Sequence, residues 1–296
     1  MSRRGIVLFA AMCLIWGLPY LLIRVAVAHL TPVTLVFFRT AIGAVVLVPV
    51  AVARGELKAV LARWPALLLY TAVEIAVPWV LLSDAERRLP SSLSSLFVAT
   101  VPIVGMVLAW ALGQERPGAR QAGGLFAGLA GVAVLAGLAT PARNFGAVAE
   151  VAVVVLGYAY GPLVVARRLA DLPRLGVVAA SLAACALAYA PFALRELPPS
   201  FPPATIAVSV GTLGVLCTAA AFVLFFALIA EVGPVRATVI TYLNPAVAVA
   251  LGVLVLGESF TVTTAAGFAL ILAGAYLAMH RGPVAAGAAR LTEEGG

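Results

Sequence analysis

Three charged side chains lie inside long apolar runs of this 296-residue sequence: Arg24, Arg39 and Glu74. Each costs about 2.5–3.5 kcal/mol at a helix centre on insertion scales, so each is expected to face a partner or a cavity. Arg24 is near the end of its run, where a long side chain reaches the interface. Arg39 is about two turns inside the second run. Glu74 is central in the third and is the deepest acid of the chain. Tyr70, Glu74 and Pro78 are spaced i, i+4 and i+8, which puts them on one helical face. Pro78 removes a backbone hydrogen bond and frees the carbonyl a turn earlier, at Glu74. A phenol, a carboxyl and a free carbonyl on one stripe suit a cation or an amine. A carboxyl in a low dielectric favours its protonated form, so this one could carry a coupling proton. The alternative is a Glu74–Arg39 pair that only locks two helices together.

Other polar groups recur at depth. The first run offers Trp16 and Tyr20 beside Pro19, and the fourth offers Ser91, Ser95 and Thr100 before Pro102. The sixth offers Tyr158 and Tyr160 with Gly157, Gly161 and Pro162; the ninth offers Thr238, Thr241, Tyr242, Asn244 and Pro245. Together they could line an amphipathic cavity for an amphiphilic solute, although each aromatic also suits packing or an interfacial belt. Enzymatic chemistry finds no footing. His29 and His280 are far apart at the ends of runs, Asp84 and Asp171 fall in loops, and no HExxH, GxSxG or P-loop occurs. Cys13, Cys185 and Cys217 sit at no metal-ligand spacing and read as small buried hydrophobes. No cofactor, metal or ATP is expected.

The elements that must position these groups follow from composition. The chain is 64% hydrophobic and 10% charged, with a mean hydropathy of +1.12, against about 25% charged residues in soluble domains. Lipid must therefore solvate most of it. Ten apolar runs are read near 6–27, 33–53, 64–83, 91–112, 119–138, 146–166, 175–195, 204–229, 234–256 and 261–279. Each approaches the roughly 20 residues that span a bilayer as a helix. Glu74 with Pro78 in the third run and Glu150 at the start of the sixth leave nine as the alternative count. The runs lack the in/out alternation of a transmembrane barrel.

With a cytoplasmic N-terminus, 13 of the 19 basic residues fall inside and four (Arg87, Arg88, Arg143 and Arg195) outside. The positive-inside rule then places both termini in the cytoplasm, with the chain in the plasma (inner) membrane. The net charge of +7 is accounted for by this distribution, and no nucleic-acid partner is expected. MSRRG followed by an apolar run and AVA at 26–28 also permits a cleavable signal peptide, but Trp16, Gly17, Pro19 and Arg24 interrupt that run.

WALGQERPG at 110–118 and VLGESFT at 255–261 mark an internal repeat. At an offset of 143 residues, Pro102 meets Pro245, Glu115 meets Glu258, Gly124 meets Gly267 and Gly131 meets Gly274. A unit of five spans is odd, so the second copy enters the membrane from the other side. Inverted repeats of this kind mark secondary transporters. The expected units are 1–138 and 146–280, followed by a disordered cytoplasmic tail at 281–296. Gly124 and Gly128, and Ala269 with Ala273, are expected to make close helix contacts.

WGLPYLLIRVAV and FFRTAIGAVVL near the start, and ATVPIVGMVLAWALGQERPGARQAGGLFAGLAGVAVLAG and YLNPAVAVALGVLVLGESFTVTTAAGFALILAGAYL at the ends of the two units, resemble the EamA type of the drug/metabolite transporter superfamily. Gln114 stands where that family's pattern has Gly. The resemblance implies ten helices in two inverted five-helix repeats and transport of a small organic solute, often export. Candidate pathway residues are Trp16, Tyr20, Arg39, Tyr70, Glu74, Ser95, Tyr158, Tyr242 and Asn244. The partners expected are a small-molecule substrate, the lipid bilayer and a coupling proton. A membrane scaffold or sensor that transports nothing is the rival class.

Overall fold

The computed structural model describes residues 2–113, 118–138, 140–198, 202–233, 237 and 239–279. Glu115, Thr238, His280 and the 281–296 tail lie outside these residues. Ten apolar helices run α1 Arg3–Ala26, α2 Pro32–Ala53, α3 Trp64–Ala85, α4 Ser91–Ala111, α5 Ala119–Leu138, α6 Phe145–Arg168, α7 Arg174–Ala193, α8 Ala204–Val232, α9 Ile240–Leu256 and α10 Val262–Met279. The first eight are long and apolar enough to cross a membrane, and the last two are shorter. No strand occurs among the described residues.

Local chemistry sets the ends. Ser2 accepts a hydrogen bond from the Gly5 N–H and Thr31 from the Thr34 N–H, so each caps a helix; Pro32 opens α2 where its missing N–H costs nothing. Gly113 (φ +86°) and Gly257 (φ +66°) stop the chain just past α4 and α9 in the left-handed conformation that glycine adopts freely. The two apolar runs therefore end at Gly for the same conformational reason, although Gly113 sits one residue earlier in its repeat.

Alternation of the spans is legible in the loop contacts. At the face bearing the N-terminus, Ser2 donates to Glu231 in the last turn of α8, and Arg63 before α3 pairs in fork geometry with Asp171 before α7 at 2.7 Å. At the opposite face, Arg88 pairs with Glu150 at the start of α6 (2.5 Å), and Thr31 with Glu196 beyond α7. Each of these contacts joins loops of the same parity, as ten antiparallel crossings require.

The two halves exchange contacts reciprocally. A Cβ on Gly274 would sit 2.6 Å from the Gly124 carbonyl, and one on Gly131 would sit 2.8 Å from the Gly267 carbonyl. Gly124 and Gly131 are the repeat equivalents of Gly267 and Gly274, so the two contacts interchange under a pseudo-two-fold rotation. Likewise α1 packs on α8 and α9, as α6 packs on α3 and α4. This is the inverted arrangement. It also corrects the expected packing motif on α10: Ala269 and Ala273 are exposed, and the face that meets α5 carries Gly267, Ile271 and Gly274 instead.

Candidate functional site

Among the described residues α4 is interrupted by a turn at Ala99 and Thr100, and two other spanning helices widen near their middles. α3 widens into a π-helix at Thr71–Ala76 and α8 does the same at Val215–Ala220. These segments occupy equivalent places in the two repeats to within one residue. A π-turn shifts the residues that follow around the helix axis and leaves backbone groups out of the regular ladder, which is why such turns mark functional positions. Pro78 lies two residues beyond the first, one turn after Glu74, consistent with the carbonyl it frees. Neither the second π-helix nor the twelve residues of α8 that follow it contain proline, so proline is not a general cause.

Glu74 is in the first π-helix and Thr218 in the second. Their environments differ. Glu74 packs against α6, where a Cβ on Gly161 would overlap its carboxyl oxygen and one on Gly157 would overlap the Val73 carbonyl. The two glycines are four residues apart and open a notch for the acid. Its Oε2 is shielded from solvent and has no hydrogen-bond partner.

Thr218 instead meets Arg39. The Arg39 Nε donates to the Thr218 hydroxyl at 3.0 Å, and the guanidinium lies 3.6 Å over the Trp79 ring. Among the described residues no carboxylate pairs with Arg39, so the Glu74–Arg39 lock entertained from sequence does not form. Arg39 is 8% exposed and about 10 Å from the start of α2. Tyr158 on α6 has the Trp79 side chain within hydrogen-bonding reach and feels the charges of Arg39, Glu74 and Glu86. Tyr20 on α1 feels Glu86 and Arg39. Arg39, Trp79, Tyr20 and Tyr158 thus form a cationic, aromatic-walled centre, with one acid on either side of it.

Glu86, one residue beyond α3, is the acid toward the face opposite the termini. It is 0% exposed, and neither carboxyl oxygen has a hydrogen-bond partner. Sequence reading missed it inside the charged stretch DAERR. Its signal was periodicity: Trp79, Leu82, Glu86 and Leu89 follow one buried helical face, while Arg87 and Arg88 point out. Thr218 and Trp79 were missed as well. Sliding Glu74 along the repeat by 143 residues reaches Cys217, the residue just before Thr218.

Other anticipated residues lie elsewhere or play local roles. Tyr70 is buried in a separate cluster with Val164, Leu169 and Val177, close enough to feel Glu74. Trp16 packs edge-on against Phe222 and tilts 4.7 Å from Phe225 on α8. Ser95 donates back to the Ser92 carbonyl at 2.6 Å. Tyr242 donates to the Ala275 carbonyl at 2.9 Å, which ties α9 to α10. Asn244 turns its backbone carbonyl toward Gly17, and its side-chain Oδ1 is buried without a partner. Arg24, expected to snorkel, instead donates to the Glu86 backbone carbonyl. The three cysteines are buried and free. No group of three or more potential metal ligands occurs among the described residues.

Outside this centre, Val73, Val77, Pro78, Leu108, Leu156, Gly157 and Tyr160 line a lateral apolar groove of about 350 Å³ between α3, α4 and α6. It reaches the back of the Glu74 notch.

The model of the EamA-like transporter family matches residues 3–137 and 147–279. The uncharacterized transporter YvbV of Bacillus subtilis (strain 168) is 30% identical over 134 residues, 45% of this chain and 44% of that protein. The match thus spans less than half of either length. A solved crystal structure shares the fold with a TM-score of 0.66, at 22% identity, over 94% of this chain and 98% of its own.

Proposed function

The chain belongs to the EamA-like transporter family, membrane transporters of small solutes rather than enzymes, and from that premise we propose that it is a secondary transporter working by alternating access. Its solute is a small organic molecule such as an amino acid or a drug-like metabolite, and the family resemblance favours export. Both termini are cytoplasmic and the membrane is the plasma membrane. The basic-residue distribution supports this orientation. So does the pairing of Arg87 with Asp84 (3.4 Å) and of Arg88 with Asp84 (2.6 Å) and Glu150, which offsets the charge of two of the four arginines assigned to the outer loops.

One observation carries the reading: a buried guanidinium held by a hydroxyl and an indole ring rather than by a carboxylate. A buried structural arginine ordinarily finds an acid, because an uncompensated charge at that depth costs several kcal/mol. Here the acids stand apart, with Glu74 on one side and Glu86 on the other. An anionic group on the solute would complete Arg39, and an amine would suit Glu74. The aromatic walls would cover the solute's apolar part. Trp16, Ser95, Tyr242 and Asn244 support the pathway through helix packing.

The test is flux in proteoliposomes of the full-length protein, with solutes first chosen by thermal shift, since a ligand of the native state raises Tm by mass action. Glu74→Gln should lower flux at least tenfold and leave Tm within a few degrees. Wild-type flux in that variant would remove Glu74 from the pathway. Absence of flux with every solute that shifts Tm would leave a scaffold or sensor.

A further inference from the structure

At the face opposite the termini, Glu258 reaches from the α9–α10 link to the first turn of α4. Its carboxylate accepts from the Ser91 N–H at 2.7 Å and from the Ser92 N–H at 2.9 Å. These two N–H groups have no partner inside the helix, and the N-terminal end of the helix dipole favours an anion. These two hydrogen bonds fasten the second repeat to the first. Gly252 makes room for Glu258: a Cβ there would lie 2.5 Å from its Oε2.

Glu86 is buried beside this latch on worse terms. It has no N–H donors, and Arg24 spends a guanidinium N–H on the Glu86 backbone carbonyl rather than on the carboxyl. The charges that face it are Glu258 from the α9–α10 link, Arg24 from α1 and Arg39 from α2, with the phenols of Tyr20 from α1 and Tyr158 from α6 nearby. A second bare carboxylate in this dry place would suffer desolvation and repulsion from Glu258. A protonated carboxyl suffers neither.

We infer that Glu86 is the proton-binding group of this transporter, neutral while the face opposite the termini is closed and ionised when that face opens. The inference rests on the transport reading above and assigns its coupling proton to Glu86, leaving Glu74 to the solute. Burial first, and the Glu258 charge next, push the Glu86 carboxyl well above the usual carboxylate range. Opening the face would hydrate Glu86 and return it toward that range. A group whose pKa is higher in the closed state stabilises that state at low pH, and the stabilisation is lost as pH rises through the closed-state value. Acid therefore closes this face and alkali opens it. An ionised Glu86 would repel Glu258 and loosen its hold on α4.

Hydrogen–deuterium exchange on the full-length protein in nanodiscs tests this. After correction for intrinsic exchange, the amides of residues 91–98 should be protected at acidic pH and at least tenfold less protected at alkaline pH. Glu86→Gln, which mimics the protonated acid, should keep them protected throughout. Glu258→Gln keeps the acceptor oxygen and drops the charge, so the pH response should shrink. Glu74→Gln should leave it intact. A Glu86→Gln profile that opens like wild type, or a Glu74→Gln profile that does not open, overturns the assignment. Should Glu86→Gln fail to fold, wild-type infrared spectra decide: protonated-carboxyl absorption at neutral pH must vanish in step with protection, and its absence overturns the assignment. The exchange readout requires no flux, so a protein that shows the pH response but moves no solute refutes the transport reading alone.

Discussion

Arg39 concentrates the energetics of the centre in one side chain. Its planar guanidinium stacks on Trp79 while Nε donates to Thr218, a combination lysine cannot reproduce because an ammonium is a compact point charge without the planar fork. Arg39→Lys keeps the charge and loses the stacking, about 2 kcal/mol in desolvated surroundings, together with the directed hydrogen bond. Solute affinity in the thermal-shift titration should fall more than tenfold. Unchanged affinity would mean that Arg39 only anchors α2. Thr218→Val removes the hydroxyl at nearly constant volume and leaves the guanidinium one acceptor short. That variant should lower Tm, since losing the partner of a buried charged donor costs about 1.5–3 kcal/mol. Tyr242 differs in kind: its hydroxyl serves the Ala275 carbonyl, so Tyr242→Phe should cost about 1 kcal/mol of stability and leave flux unaltered.

At the scale of elements, the two π-helices explain how helices otherwise built for lipid present polar atoms inward. A regular α-helix would continue the Tyr70–Glu74–Pro78 stripe unbroken. The wider turn at Thr71–Ala76 instead separates Tyr70, which joins the α6–α7 side, from Trp79, which turns to Arg39. The α6 glycines complete the arrangement by letting α3 approach. Gly161→Ala should destabilise by about 1–3 kcal/mol, the usual cost of overpacking, read as a drop in Tm. The defect should be relieved in Gly161→Ala/Glu74→Ala, because the added methyl collides with the carboxyl that the second change removes. Additive losses in that pair would place the collision on backbone instead.

For the whole molecule, the reciprocal Gly124–Gly274 and Gly131–Gly267 contacts make α5 and α10 one close-packed seam between the repeats. Gly274→Leu should split that seam and lower Tm by several degrees. The face opposite the N-terminus is drawn together by four polar ties: Arg24 to the Glu86 carbonyl, Arg88 to Glu150, Thr31 to Glu196, and Glu258 to α4. Most exposed ion pairs contribute under about 1 kcal/mol each. Of the four, only Arg88–Glu150 is such an ion pair, and it separates more cheaply than the packed glycines.

Much of the architecture followed from sequence because it rests on local or repeated properties. Apolar run length reports bilayer thickness, and an odd-numbered repeat unit forces inversion. These quantities need no knowledge of which helix touches which. Arg39 and Glu74 were legible for the same reason, as charges too costly to leave at depth unexplained. Their relationship was not. Sequence offered a Glu74–Arg39 pair, and only packing showed that a π-turn and two α6 glycines hold the acid on one side while Thr218 and Trp79 hold the guanidinium on the other. Glu86 was hidden because DAERR reads as a solvated loop, and burial of one residue beside three charged neighbours is decided by helix phase and by the helices packed around it. The ninth span's Tyr242 met the opposite fate: a phenol chosen for depth and composition turned out to face α10. Composition and periodicity determine that a side chain is in the membrane. Which neighbour it meets there is a long-range property, settled only when all ten helices are packed.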